Sequence, residues 1–401
     1  MNSAITFSQN GTITSPKGFL AGAAYAGINK HTRFNLDVAI LLSNTKTNAS
    51  GVFTTNKIKS APVLLCQRML PSAQIKGIVV NSGCANASTG EHGQADAQNM
   101  CAIASQKTGV LMSNMLVAST GVIGRRLPLD KLGTAINQIE LSPEGGLSFA
   151  KAIMTTDTRP KHCAVSADGF TIGGVAKGSG MLNPNMATML SFITTDAPVE
   201  LGFLQTSLKV AADLSFNMVS VDGDTSPNDS LVILANGAGG GSLIENGSPR
   251  AALFQEALNN LCIYLAKEIA KDGEGATRLI EVKVNGAQSY DDASKAIHAI
   301  IGSPLVKTAV HGCDPNWGRI IVAAGRSGAT LAEDKLDLRI NKIVVMRDGI
   351  PMPFDTQGLR KELSKEQVNI EMNLNMGNYS ATGWGCDLSK EYVLINADYT
   401  T

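Results

Sequence analysis

Between Cys163 and Ile193 the chain spells out a hairpin, a loosened loop and a third strand, and this run constrains the fold more than any other stretch. Cys163, Val165 and Ala167 alternate up to Asp168-Gly169, and Phe170 and Ile172 then resume the alternation, which is the signature of a tight two-residue β-turn. The loop from Lys177 to Ala187 follows, with two glycines and a proline, and Thr188 opens the apolar strand Met189-Leu190-Ser191-Phe192-Ile193. A hydroxyl residue therefore stands at the mouth of a strand that must be buried.

The rest of the chain alternates short strands with helices. Gly77 to Val80 reads as a strand entering the turn Asn81-Ser82-Gly83, and Leu116 to Ser119 as a second one ending at Thr120-Gly121. From Ala95 to Gly109, Ala97, Met100, Cys101 and Ala104 fall on one helical stripe. A longer helix is expected from about Pro249 to Lys271, with Leu253, Ala257, Leu258, Leu261, Leu265 and Ile269 facing a core. Val368, Ile370, Met372 and Leu374 alternate with polar residues as in a half-buried antiparallel strand. Further strands are expected at Met218 to Val221, Ile343 to Met346 and Tyr392 to Ile395. The pattern predicts an α/β (α+β) fold of layered sheets covered by helices, and 401 residues suit two domains or intertwined halves.

Composition narrows the function. Lys plus Arg and Asp plus Glu number 34 each, so no basic field exists to gather nucleic acid or anionic lipid. Seven cysteines without paired C-x-x-C spacing speak against a disulfide framework and a zinc site, and are expected to be reduced, mostly buried thiols. The N-terminal MNSAITFSQNGTITSPKGF lacks the marks of a signal or transit peptide, and no segment runs apolar long enough to span a bilayer. The cytoplasm is the expected location.

Residues 177–190 read KGSGMLNPNMATML. A phosphate-binding loop needs its lysine after the glycines, and here the lysine precedes them. From spacing alone, an ordinary surface loop entering a strand remains the simpler reading. A catalytic reading is also chemically available. If Thr188 Oγ attacks the Ala187 carbonyl carbon, an ester replaces the amide, and water then hydrolyses it. The α-amine thereby freed has a reference pKa of about 7.7–8.0 and can act as general base beside its own hydroxyl. Cys84, Cys163 with His162, and Cys313 with His311 are weaker candidates for nucleophiles or metal ligands, since no H-x-x-x-H spacing supports them. Asp222, Asp224 and Asp229 read first as a turn rich in self-capping aspartates.

Met186-Ala187-Thr188-Met189-Leu190 resembles the processing site of the ornithine acetyltransferase family, also called glutamate N-acetyltransferase. The segments GVFTTN, NSGCANASTG, STGVIG, TTDT, DGDTSPNDS, GEGATRL, DPNWGRI and INADY resemble family segments in the same order along essentially the whole chain. The resemblance implies a self-processing architecture of the N-terminal-nucleophile type, cut between Ala187 and Thr188 into chains 1–187 and 188–401. It further implies Thr188 as nucleophile, Thr120 and Gly121 as the oxyanion hole, and Thr155, Lys177, Thr188, Glu274, Asn396 and Thr401 as substrate contacts. Lys177 and Glu274 would be the charges that complement an amino acid's carboxylate and ammonium. The implied reaction carries acetyl from N-acetyl-L-ornithine to L-glutamate in arginine biosynthesis, without metal or organic cofactor, in a heterotetramer of two chains of each kind. Some family members also take acetyl-CoA as donor. Two other readings are a self-processing aminopeptidase or amidohydrolase with water as acceptor, and a self-cleaving binding protein in which the cut is only maturation.

Overall fold

Asp168 and Gly169 both adopt positive φ, +44° and +78°, and turn strand Lys161–Ala167 back into strand Phe170–Lys177. In the computed structural model, which describes residues 5–30, 33–183 and 189–398, this hairpin belongs to a nine-stranded sheet. Leu190–Thr195 adds antiparallel to Phe170–Lys177, and Ser230–Ala235 adds parallel to Leu190–Thr195. Val38–Phe53 then pairs antiparallel with Ser230–Ala235 and leads to Ser72–Asn81 and Met115–Ser119. Phe19–Ala24 pairs beside Val38–Phe53, and Thr6–Ser8 forms the edge beside Lys161–Ala167.

The strand that follows Thr188 is thus internal, and all six of its residues are buried. Both strands contributed by residues after 188 lie in the middle of this sheet, between strands contributed by residues before 187. Six residue pairs bind Leu190–Thr195 to Phe170–Lys177, and six more bind Ser230–Ala235 to Val38–Phe53.

One face of this sheet is covered by the helices Ala61–Met69, Gly90–Thr108, Leu129–Gln138 and Gly146–Ala152. The expected stripe of Ala97, Met100, Cys101 and Ala104 is buried there. The other face packs on Leu201–Asp213 and on the long helix Ala251–Lys271. Ala257, Leu258, Leu261, Leu265 and Ile269 are buried along that helix, as its periodicity predicts.

Beyond the helix lies a seven-stranded sheet in the order Ile350–Pro351, Ile343–Arg347, Asp337–Ile340, Gln367–Asn373, Leu279–Ala287, Tyr379–Cys386, Val219–Ser220. One of its faces is packed along its length, and the other only at the end where Leu279, Trp384 and Cys386 are buried. Ile280, Val282 and Val284 are buried, whereas Lys283, Arg339 and Glu371 are exposed.

Three expectations from the sequence change. Gln367–Asn373 buries Val368, Ile370 and Met372 as its alternation predicts, but it runs antiparallel only to Asp337–Ile340 and parallel to Leu279–Ala287. The segment Met218 to Val221 contributes a strand of two residues, Val219–Ser220, at the sheet edge. Tyr392 to Ile395 is part of a helix, Lys390–Asp398. In a strand Val393 and Leu394 would point to opposite faces and the core side would cover one of them, yet they are 62% and 55% exposed. Residues four apart do the docking instead, since Asn396 Nδ2 donates to the Tyr392 carbonyl and to Glu274 Oε2.

Candidate active site

Ala187, Thr188 and Thr401 lie outside the described residues, but both approaches to the Ala187–Thr188 junction are fixed by carboxylates. Asp222 accepts the Met181 and Leu182 N–H groups at 2.5 and 2.7 Å, and Asp229 accepts the Met189 N–H at 2.9 Å. The sequence reads these aspartates as capping their own turn, and apart from the Asp224 N–H bond to Asp222 they do not. Their acceptors are taken by N–H groups about forty residues away, which the sheet topology brings alongside. Asn228 ties the same turn to the neighbouring strand ends, donating through Nδ2 to the carbonyls of Ala85 and Ser119 at 2.7 Å each.

Thr120 and Gly121 follow the buried strand Met115–Ser119 and pack on the turn after Asn81. Thr120 N–H donates to the Asn81 carbonyl, and Ser119 Oγ donates to Asn81 Oδ1 at 2.6 Å. Gly121 sits at φ +124°, and a Cβ there would collide with the Gly83 carbonyl carbon and come within 2.6 Å of the Cys84 nitrogen. Glycine is thus required both by the backbone angle and by the approach of a second backbone.

Lys177 ends its strand directly opposite Leu190, and its side chain points inward. It is 3% exposed, and Nζ donates to Thr120 Oγ1 at 3.3 Å. Burial pushes the Lys177 pKa down, and the carboxylates of Asp157, Asp229 and Glu274 counter this only in part. Glu274 follows the C-terminal end of helix Ala251–Lys271, where its N–H donates to the Ser179 carbonyl. Its carboxylate rests on Gly180, where a Cβ would approach to 2.5 Å. Read from sequence alone, Lys177 and Glu274 would be ordinary surface charges, and both are buried.

All six described residues to which the resemblance assigns a role are therefore neighbours: Thr120, Gly121, Thr155, Lys177, Glu274 and Asn396 line one pocket. Asp222, Asp224, Asn228 and Tyr392 also belong to its wall. Tyr392 carries no signal in the sequence beyond lying just before INADY, and it becomes legible only once the last segment is a helix. Burial and then the Asp222 and Glu274 charges push its phenol up.

The weaker candidates fall away. Cys84 is buried and its Sγ faces the Arg125 carbonyl, and burial raises its pKa, so it is held as a thiol. Cys163 is in the core, and His311 is paired with Asp387 at 2.7 Å. Six of the seven cysteines are buried and all are free, as expected. Among the described residues no group of three or more His, Cys, Asp or Glu is arranged to hold a metal, and no helix is long and apolar enough to cross a membrane.

Asp229 yields a stability prediction. Its carboxyl is fully buried, Oδ2 has no partner among the described residues, and burial pushes its pKa well up despite the Met189 N–H and Lys177. A carboxyl whose folded pKa is raised leaves stability untouched below its unfolded pKa, then lowers it as the unfolded chain ionises first. Asp229→Asn, which keeps an acceptor for Met189, is expected to gain stability relative to the parent between pH 4 and pH 7. Denaturant midpoints at the two pH values measure the difference.

A buried cation beside a glycine turn, facing a carboxylate across a pocket at the head of an internal strand, suits an enzyme that moves an acyl group between small charged molecules. Known proteins agree. The model of the ArgJ family matches residues 20–401. An arginine biosynthesis bifunctional protein of Dehalococcoides mccartyi is 52% identical over the full length of both chains, and one of Symbiobacterium thermophilum is 47% identical over 98% of this chain and 99% of its own. A crystal structure of the Bacillus halodurans arginine biosynthesis bifunctional protein superposes with a TM-score of 0.50 at 43% identity, covering 51% of this chain and 97% of that one. The chain belongs to the ArgJ family, and it is an acyltransferase.

Proposed function

We propose that this protein cuts its own Ala187–Thr188 bond and then uses Thr188 to carry acetyl from N-acetyl-L-ornithine to L-glutamate. The convergence of Thr120, Gly121, Lys177 and Glu274 on the head of the Leu190–Thr195 strand carries this reading. In the first step Thr188 Oγ adds to the Ala187 carbonyl carbon, the peptide C–N bond breaks, and water opens the resulting ester. Ala187 is left with a carboxylate and Thr188 with a free α-amine.

In transfer, that amine takes the Thr188 hydroxyl proton as Oγ attacks the acetyl carbonyl of the donor. Charge develops on the carbonyl oxygen, to be met by the Thr120-Gly121 turn with Lys177 3.3 Å from Thr120 Oγ1. The tetrahedral adduct then collapses, the proton passes to the departing nitrogen, and ornithine leaves with acetyl on Oγ. Glutamate reverses the sequence through its own α-amine. Glu274, with Asn396 donating to it at 2.9 Å, is positioned to receive the ammonium of either amino acid, while Thr155 supplies a further hydroxyl. Thr401 belongs to the same proposal through the resemblance. Acetyl-CoA is a second donor candidate on the same grounds, and no metal or organic cofactor has a step in this scheme.

The products of the cut would be chains 1–187 and 188–401, held together because two neighbouring strands of the second lie between strands of the first in one sheet. The solved Bacillus halodurans chain is about half as long as this one, as a processed chain would be. A heterotetramer of two chains of each kind in the cytoplasm is the expected assembly. The arginine biosynthesis relatives favour glutamate over water as acceptor.

Intact-mass analysis tests the proposal: two co-purifying fragments are expected, the second beginning at Thr188, and a single uncut chain from Thr188→Ala. Incubation with N-acetylornithine should yield acetylglutamate only when glutamate is present. A continuous chain that turns over at full rate, or acetate release indifferent to glutamate, would refute it.

A further inference from the structure

Lys161 opens strand Lys161–Ala167 with its side chain wholly buried, and its Nζ lies 2.6 Å from both Asp157 Oδ1 and Asp272 Oδ2. Both carboxylates are as deeply buried as the ammonium. Such a triad is a poor way to gain stability, because desolvating three charges offsets most of their attraction. Asp272 is also placed against the local field. It is the C-cap of helix Ala251–Lys271, where the exposed carbonyls disfavour a negative charge. These residues fit a different purpose, visible in what else they hold.

Asp157 accepts the Thr155 N–H at 3.0 Å and the Gly178 N–H at 2.8 Å. Asp272 accepts the Thr158 N–H at 3.0 Å as well as the Thr158 hydroxyl. Asp272 also lies two residues before Glu274, and the segment is tied on by the Glu274 N–H bond to the Ser179 carbonyl. Three stretches of backbone that carry Thr155, Lys177 and Glu274 into the pocket thus converge on one ammonium ion. Lys161 itself does not line the pocket.

We propose that Lys161, bridging Asp157 and Asp272, is the positioning centre of the acyl-transfer site, fixing Thr155, Lys177 and Glu274 at their working separations and setting the field around Lys177. This rests on the acyl-transfer reading of the pocket. The field is specific in sign. The groups that face Lys177 are Asp157, Asp229 and Glu274, which favour its protonated form, and Lys161, which opposes it. Neutralising Lys161 and neutralising Asp157 must therefore move Lys177 in opposite directions, although each breaks the same ion pair.

The experiment compares Lys161→Met and Asp157→Asn, with Asp272→Asn as a third, near-isosteric variant that breaks the triad from its other end. Wild-type protein is first shown to make acetylglutamate from N-acetylornithine. Should it fail, the acyl-transfer reading itself is wrong. Given that activity, kcat is expected to fall by about 10- to 100-fold in all three variants, as displacement of positioned groups does. The alkaline limb of kcat/KM, where Lys177 loses its proton, should move to higher pH in Lys161→Met and to lower pH in Asp157→Asn. Asp272→Asn should lose kcat with little movement of the limb. Thermal melts report whether each variant is folded, and the Asp157→Asn and Asp272→Asn pair suffices if Lys161→Met is not. Folded variants with wild-type kcat, or limbs that stay put or move together, would overturn the proposal.

Discussion

Gly121→Ala is expected to lower kcat about 100- to 1000-fold while leaving the chain folded, the loss found when an oxyanion donor is removed, about 3–4 kcal/mol of transition-state stabilisation. The methyl group would collide with the Gly83 carbonyl carbon and fall 2.6 Å from the Cys84 nitrogen, both backbone atoms that no rotamer change can clear. Gly83 cannot retreat, since its own Cα hydrogens face Asn29, where a Cβ would approach to 2.6 Å. The Thr120-Gly121 turn must therefore move, and the Gly121 N–H and the Thr120 hydroxyl, the donors left once the Thr120 N–H is bound to the Asn81 carbonyl, leave the line on which the developing oxyanion needs them. At φ +124° alanine is strained as well, which adds a stability loss of about 1–3 kcal/mol. Gly124→Ala separates the two effects. Gly124 is also left-handed, at φ +77°, but an added Cβ meets nothing within 4 Å. It should therefore lose only about 1 kcal/mol of stability and keep its kcat. Single-turnover acetylation of already processed protein is the cleanest measurement, because it reads the transfer step apart from self-cleavage. Equal kcat in the two variants would remove Thr120-Gly121 from the mechanism.

Local periodicity made the frame legible. The Asp168-Gly169 hairpin, the Ala97-to-Ala104 stripe and the Ala257-to-Ile269 stretch of the long helix, where Leu258, Leu261 and Leu265 recur, all bury the residues that their spacing selects. The C-terminal helix was not legible, because Tyr392, Val393 and Ile395 have strand propensity, while the bond from Asn396 to Glu274 that docks the segment spans 122 residues. Site residues came from the family resemblance and not from spacing: nothing in the sequence around Lys177 or Glu274 says that either is buried. Asp157, Asp222 and Asp229 were less visible still. Their bonds to Gly178, Leu182 and Met189 span 21, 40 and 40 residues, so only the assembled sheet brings donor to acceptor. Lys161 carries no signal in the sequence, and its burial depends on a helix end more than a hundred residues away.

Lys177→Met should separate activity from stability. Loss of the cation next to Thr120 is expected to reduce kcat/KM about 100- to 1000-fold, since a preorganised charge acts most strongly where water is excluded. Stability should hold or rise. Burial lowers the Lys177 pKa, so the folded state releases that proton more readily than the unfolded chain does. A lysine of this kind lowers stability throughout the range below its folded pKa, and the penalty fades as pH rises from there to the unfolded value of about 10.4. Methionine removes the penalty with a side chain of similar length, and Asp157 keeps Lys161 as its counter-ion at 2.6 Å. The melting temperature of Lys177→Met is therefore expected to equal or exceed that of the parent at pH 7, with the advantage shrinking toward pH 10. A variant that loses stability in step with activity at neutral pH would mean that Lys177 is a structural ion-pair member. Retained activity would mean that the turn stabilises the oxyanion without it. The expected outcome, an inactive protein at least as stable as the active one, is what a cation held in place for chemistry at the expense of folding should produce.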